Sequence, residues 1–366
     1  MRMAFISEDF IPAHGKLYPG GCTYYREMLP RNAAGQGSKF GPPAWSGEVG
    51  FGVQISKTQA QFGFDTVMMK MMFSRWTPDQ MRAAQQLGQR LIVDVDDHYD
   101  GLHDDNRAKE TTDPEVNKIK NRDYHREVIS LADVVTVTTP FLYEYYKPIA
   151  KRVVMIRNGI NPNQFLPNKQ LNRKPVIGWI GSMGWRSGDI ETTREWLPDF
   201  LAQHDLMFYH GGHMEGVKSF SEASGVPDER IATLNAVSLS TYHGLFGLLD
   251  IGLVPLTDID FNEAKSTVKG LEYAASNIPF VASALPEYRL LANQGVGRVS
   301  VSPDDWVRHL TELLDWKTRK KEAAVQRQRV LEHHTIVQRA HEWKSLFEEP
   351  HEPVKVKTMT VPYKHL

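Results

Sequence analysis

The chain has 366 residues, 41% hydrophobic and 24% charged, with a formal net charge of −1. That length suffices for two domains with cores of their own, and the charge balance provides neither a nucleic-acid-binding face nor a broad cationic surface for anionic membranes. The one cysteine, Cys22, excludes an internal disulfide framework, and no stretch reaches the apolar length of a transmembrane segment; with an N-terminal apolar run too short for a signal peptide, the expected location is cytoplasmic.

In chain order, 3–7 reads as a buried strand and 8–21 as a loop ending in Tyr18-Pro-Gly20-Gly21. A helix starts near Thr23. A Gly-Gly turn between strand and helix lets amides approach an anion, and is equally a plain tight turn. Residues 33–52 are rich in Gly, Pro, Ser and Trp without a periodic pattern. They form either an acceptor-side loop with Trp45 as an apolar platform or a surface insertion. Strands are predicted over 66–73 and 91–95, with a helix over 79–90 between them. The second strand runs into Asp94-Val-Asp96-Asp97-His98-Tyr99. Such groups at a strand's carboxyl end suit a catalytic or sugar-contacting site. Carboxylates at this spacing can also hold magnesium or manganese, or simply cap and brace the loop. Helices over 121–131 and 141–150 alternate with strands over 133–138 and 153–156, which argues for a parallel sheet.

Residues 161–174, with two prolines and four asparagines, read as the linker. The first half is expected to span 1–168, the linker 169–175 and the second half 176–330. The strand over 176–180 ends in Gly181-Ser182-Met-Gly184-Trp185-Arg186. Its glycines do not make the dinucleotide fingerprint. Arg186 suits a diphosphate through its planar fork, or a surface salt bridge. The strand over 206–209 ends in His210-Gly-Gly-His213, which a polar turn explains as well as a metal does. A strand over 230–234 and a helix over 242–249 follow. An apolar run over 251–256 then leads into Phe261-Asn-Glu-Ala264-Lys265-Ser266-Thr267-Val-Lys269-Gly-Leu-Glu272-Tyr. This is strand, loop and helix, closing on a second strand over 279–283, and the loop–helix junction offers amides, two hydroxyls and a lysine to a phosphate. Trp306, Leu310, Leu313 and Leu314 share one helical face. The charged helical region 317–348 carries a stripe of Ile336, Ala340, Trp343 and Phe347, which is expected to pack in a core. Residues 331–366 are expected to cross back to the first half.

The Gly-Gly turn, the Lys-Ser…Lys…Leu-Glu-Tyr helix, ADVVTVTTP at 132–140 and VVMIRNGINPNQF at 153–165 together resemble GT-B glycosyltransferases, family 4 in particular. Relatives carrying the Asp-Val-Asp-Asp stretch include bacteriophage proteins. The resemblance implies an α/β fold with two Rossmann-like αβα domains facing a central cleft. It implies transfer of a sugar from a UDP- or GDP-linked donor to a protein, glycan or lipid acceptor, a virion protein being one candidate, with retention of configuration and without a bound metal. It assigns Glu272 to the ribose, Ser266 and Thr267 to the diphosphate, and Arg186 to a phosphate clamp, with Gly181 and Ser182 at the same strand end. Gly20 and Gly21 match the loop that closes over the diphosphate. Asp97 or His98 falls against the transferred sugar.

Two departures stand out. The family pairs two glutamates eight positions apart, and Ala264 stands where the first should be. A lysine expected just after the arginine is replaced by Ser187-Gly188-Asp189, and Lys265 is the available substitute for its charge. An epimerase of the same architecture, or a binder that has lost catalysis, fits the same residues.

Overall fold

The computed structural model describes residues 3–7, 9–13, 16–35, 65–71, 73, 75, 77–112, 121–186 and 188–351. Trp45 with most of its loop, Ser187 and the tail from residue 352 lie outside these.

In the first half, the strands are β1 (Met3–Ser7), β2 (Phe10–Ala13), β3 (Lys16–Pro19), β4 (Thr66–Lys70), β5 (Arg90–Val95), β6 (Val134–Val137) and β7 (Val153–Met155). The runs TVMMK, RLIVDV and VVTV are buried along their whole length. That is the pattern of parallel strands covered on both faces. They form a parallel sheet in the order β1-β4-β5-β6-β7. β2 and β3 make a separate antiparallel hairpin within the segment expected to be a loop. The helix expected over 79–90 spans Thr77–Gln86. It stops where Gly88 takes a positive φ of 77° and the chain turns into β5.

The second half contributes β8 (Ile177–Ile180), β9 (Phe208–His213), β10 (Ile231–Asn235), β11 (Ile251–Val254), β12 (Phe280–Ser283) and β13 (Arg298–Ser300). Their order is β10-β9-β8-β11-β12-β13, all parallel. Counted within this half, the winding leaves β8 in one direction and β11 in the other. The switch between them opens a crevice at the strands' carboxyl ends, where ligands of such sheets bind. His210-Gly-Gly-His213 lies within β9 rather than in a turn. His210 stacks on Trp179 at 5.3 Å and its Nε2 bonds the Gly181 carbonyl at 3.1 Å.

The helix Val268–Ala275 is fixed over the switch by one side chain. The ring of Tyr273 rests on Gly252 of β11, where a Cβ would come within 2.7 Å of it. Its hydroxyl accepts the Ile180 amide at 3.0 Å. The residue before it, Glu272, is thereby held at the crevice. No helix among the described residues is long and apolar enough to cross a membrane.

The charged C-terminal region is two helices, Trp316–His333 and Ile336–Glu348, parted at Thr335 by a capping box. The second lies on the first half. Phe347 meets Phe5 edge-on at 5.8 Å, Trp343 underlies the Arg26 guanidinium at 4.8 Å, and Arg90 donates to the Leu346 carbonyl at 2.7 Å. Ile336, Trp343 and Phe347 are buried, so the apolar stripe is core. Trp343→Ala should therefore cost about 3–5 kcal/mol of stability by opening a cavity under Arg26. Val337→Ala, on the exposed face of the same helix, should change stability by less than about 0.5 kcal/mol. Thermal unfolding of the two variants checks the contrast, and equal shifts would contradict this packing.

Candidate active site

The acidic stretch after β5 divides by strand alternation, since successive side chains point to opposite faces. Asp94 and Asp96 turn inward. Asp94 accepts from the Arg26 guanidinium (2.8 Å), Lys70 Nζ (3.3 Å) and Thr136 Oγ1 (2.7 Å), and has no exposed side-chain surface. Burial works against its charge, but Arg26 and Lys70 outweigh this and hold its carboxyl below the usual range. Asp96 pairs with the same buried Lys70. Burial opposes the Lys70 charge, and Asp96 and Asp94 restore it, so Lys70 stays an ammonium. Two of the three aspartates thus brace the sheet.

Asp97 faces the second half. Its Oδ1 accepts from Lys265 Nζ at 3.4 Å. Burial raises its pKa, yet Lys265 and then Arg186 bring the carboxyl below its ordinary value. Asp97, Asp96 and Cys22 each place a possible ligand atom within 4.8 Å of the others. Asp96 is already committed to Lys70, and burial followed by the Asp96 charge keeps the Cys22 thiol protonated. This set suits an ammonium rather than a divalent ion. His98 goes the other way, into the rings of Phe141 (5.2 Å) and Tyr145 (4.3 Å), with its Nδ1 buried and unpartnered. Reaching a sugar would require it to leave those rings.

Lys265 lies over the Phe261 ring at 3.8 Å and is 11% exposed. Burial and the nearby Arg186 lower its pKa, while Asp97 and Asp189 oppose them. The Arg186 charge also bears on Asp189, Lys269 and Tyr242. The helix start beside Lys265 is open. The amides of Ser266, Thr267 and Val268 donate no backbone hydrogen bond to a described residue. Thr267 makes no side-chain cap, and the Ser266 hydroxyl accepts from Asn158 of the first half at 2.9 Å. Free amides at a helix start flanked by two cations form a ready anion site.

Glu272 is 2% exposed and already bonded. Its Oε1 accepts from the Tyr25 hydroxyl at 2.7 Å, and its Oε2 from Tyr242 (3.0 Å) and Lys269 (2.8 Å). Burial, then the Glu272 charge, raises the pKa of both tyrosines, which keeps them as donors. A carboxylate offers about four acceptor positions. With three filled, a pair of vicinal hydroxyls can bind only if one tyrosine withdraws. Tyr25 comes from the first half, so this bond joins the two halves.

The other glycine and serine positions are more occupied than the sequence suggested. A Cβ at Gly20 would come within 1.9 Å of the Asp9 carboxylate. That carboxylate accepts the Thr23 amide at 2.7 Å. A diphosphate could use this helix start only by displacing Asp9, whereas Gly21 borders open space. Gly181 commits its amide to the Gly211 carbonyl at 2.8 Å, and Ser182 donates to Met214 Sδ. Both sit at the end of β8, beside the switch. Tyr25, Tyr242, Lys269, Asp189 and Asn158 were given no role by the sequence. Only Lys269 carried a signal, one helical turn before Glu272 on the same face.

Ala264 is fully buried within the first half's apolar cluster, and its carbonyl accepts from Thr139 Oγ1 at 2.9 Å. A glutamate there would bury an unpaired charge between the halves, so the missing carboxylate belongs to the way the halves meet.

No family profile matches the sequence, and no curated protein matches it. Solved structures do. Anabaena HepE in complex with UDP superposes with a TM-score of 0.62 at 15% identity, covering 95% of this chain and 99% of that one. Sucrose-phosphate synthase from Thermosynechococcus elongatus gives 0.60 at 15% identity, covering 94% and 88%. A glycosyltransferase from Rickettsia africae gives 0.59 at 12%, covering 95% and 99%. The fold is GT-B. At these identities the likeness is one of architecture, and it accounts for both parallel sheets of the expected fold. The GT-B arrangement leaves the functional reading to the side chains of the crevice.

The loop that carries Asp97 rests on a buried histidine. His125 stacks on Phe73 at 4.6 Å and meets Tyr99 edge-on at 5.6 Å. Burial lowers its pKa from 6.5 to about 4. The unfolded chain therefore takes up a proton between these values while the folded chain does not. Stability is complete above pH 6.5 and falls as the pH drops toward 4, by on the order of 3 kcal/mol from this group. Urea unfolding between pH 7 and 4.5 should show the decline, and His125→Phe should flatten it. An unchanged slope would remove His125 from this role.

Proposed function

We propose that the protein is a glycosyltransferase that moves a sugar from a nucleoside-diphosphate donor to an acceptor, with a site of the family 4 type. The observation that carries this reading is the convergence of Arg186, Lys265 and the open helix start at Ser266 and Thr267 on the switch between β8 and β11, with Glu272 one helical turn beyond. The fold supports it, as do the UDP and UDP-glucose named with HepE. On that basis UDP is the first nucleotide to test, ahead of GDP.

In this reading the diphosphate lies on the helix start between Arg186 and Lys265. The bond from the sugar's anomeric carbon to the β-phosphate oxygen breaks as the acceptor oxygen bonds to that carbon. The acceptor's proton passes to the departing phosphate oxygen. The sugar carries positive charge midway, and the growing negative charge on the phosphate is met by donors already in place. Attack on the face that the phosphate leaves retains configuration and needs no protein nucleophile. Asp97 acts through Lys265, aiming its ammonium at the phosphate. Glu272 takes the ribose hydroxyls when Tyr25 withdraws. Two cations neutralise the diphosphate without a metal. Closure of the halves keeps water from the donor. The acceptor is a protein, glycan or lipid that enters from the first half.

Calorimetric titration of the full chain with UDP, GDP and their hexose esters tests this directly; failure of all of them to bind would overturn it. Arg186→Ala and Lys265→Ala should each lower turnover at least about tenfold, a loss of ~1.4 kcal/mol of transition-state stabilisation. Wild-type turnover in both would refute the phosphate assignment. Tyr25→Phe should do the opposite to binding. With the competing hydroxyl gone, UDP should bind roughly threefold to tenfold more tightly. Unchanged affinity would mean that Tyr25 does not compete with the ribose.

A further inference from the structure

The loop after β8 holds a second buried carboxylate, Asp189, 3% exposed. Its Oδ1 accepts from the Thr257 amide at 3.0 Å and from Asn262 Nδ2 at 2.6 Å. The Asn262 amide also donates to the Thr257 carbonyl at 2.9 Å. The cluster is therefore stiff on one side. On the other it is unsatisfied. Asn262 Oδ1 and Thr257 Oγ1 are buried without a partner. Asp189 Oδ2 accepts no hydrogen bond from a described residue.

Two buried unpaired polar atoms beside a carboxylate are unusual for a folded protein, where such groups find partners. They sit next to the two cations of the proposed phosphate site: the Asp189 amide donates to the Arg186 carbonyl at 3.1 Å, and the Lys265 amide to the Asn262 carbonyl at 3.1 Å. The first half covers them. A Cβ on Gly188 would lie 3.0 Å from Thr257 Oγ1 and 2.9 Å from the His103 ring. A ligand group beside the diphosphate that satisfies two acceptors and a hydroxyl must be rich in hydroxyl donors.

Resting on the proposed transferase reading, we infer that Asp189, with Asn262 and Thr257, reads the hydroxyls of the donor sugar. This is the task left open by Ala264. The carboxylate comes from the loop after β8 instead of the turn before Ser266, where burial of Ala264 in the first half's apolar cluster excludes a charge. The sugar gains access when His103 lifts from Gly188. Such a subsite selects a neutral hexose with free hydroxyls and rejects a uronic acid, whose carboxylate would meet that of Asp189.

Asp189→Asn retains an oxygen for the Thr257 amide and Asn262 while losing the charge and the free acceptor. Wild type and variant are titrated with UDP and GDP, with their glucose, galactose and mannose esters, and with UDP-glucuronic acid. The expected result compares each bare nucleotide with the hexose ester that the wild type prefers. Bare nucleotide should bind the variant as tightly as the wild type or more so, because a negative charge has left the phosphate site. The hexose ester should weaken about tenfold relative to it. The glucuronic ester should gain on the hexose ester. Thr257→Val, close in shape, should weaken the hexose ester selectively and serves if Asp189→Asn does not fold. If the ratio of hexose ester to bare nucleotide is the wild-type ratio in both variants, Asp189 only braces its loop and the inference fails. If the wild type binds no nucleotide or ester, the transferase reading itself falls, and this inference with it.

Discussion

Asp94 is a carboxylate with no exposed side-chain surface, and much of the first half is arranged to keep it charged. Arg26 reaches it from the first helical segment, Lys70 from β4 and Thr136 from β6. Removing either cation would leave a buried charge uncompensated, at a cost of about 3–5 kcal/mol. The network does not end there. Arg26 also donates to the Ile156 carbonyl and to Asn158, and Asn158 passes a hydrogen bond to Ser266 across the crevice. Its other face lies on Trp343 of the returning C-terminal helix. A single guanidinium thus joins strand ends, the C-terminal helix Ile336–Glu348 and, through Asn158, the helix start at Ser266. On the neighbouring residues the same chain of charges runs from Lys70 through Asp96, and Asp97 continues it to Lys265.

Several contacts between the halves fall on atoms that the proposed donor would use. Tyr25 holds Glu272, Asn158 holds Ser266 and Asp97 holds Lys265. Arg157 pairs with Glu287 beside them. Without a ligand, the second half's polar groups are satisfied by the first half. In the proposed reading, a donor entering the crevice would exchange those partners for its own ribose and phosphate oxygens, and binding would be linked to relative movement of the halves through the difference in hydrogen bonding between the two arrangements. A buried carboxylate such as Glu272 is costly to leave bare, which explains why it is capped by two tyrosines and a lysine.

The sequence carried the architecture well because parallel strands covered on both faces announce themselves as short apolar runs. Every strand of the two parallel sheets except the short β13 was visible in that way, most with ends displaced by one to several residues. The hairpin of β2 and β3 was missed because Phe10-Ile-Pro and Lys16-Leu-Tyr-Pro lack alternation. His210 to His213 looked like a turn because two adjacent glycines outweighed the apolar run before them. The candidate site was legible where chemistry and spacing coincide, at Lys265, Ser266, Thr267 and Glu272, which the fold brings to one crevice. It was unreadable where partners lie far apart in the chain. Nothing local marks Tyr25 as the partner of Glu272, or Asn158 as that of Ser266, because each pair is made by two halves folding against one another. The acidic run misled for the opposite reason. Three aspartates in a row of four look like one site, yet strand alternation sends two of them to Lys70 and one to Lys265.

The central claim is that the crevice between β8 and β11 binds a nucleoside diphosphate between Arg186 and Lys265. A crystal structure of the full chain with UDP tests it most directly. The account predicts the β-phosphate within hydrogen-bond reach of both cations and of the Ser266 and Thr267 amides, the ribose on Glu272, and the Tyr25 hydroxyl displaced. UDP bound elsewhere, or bound with Tyr25 still on Glu272 and neither cation on the phosphate, would contradict it.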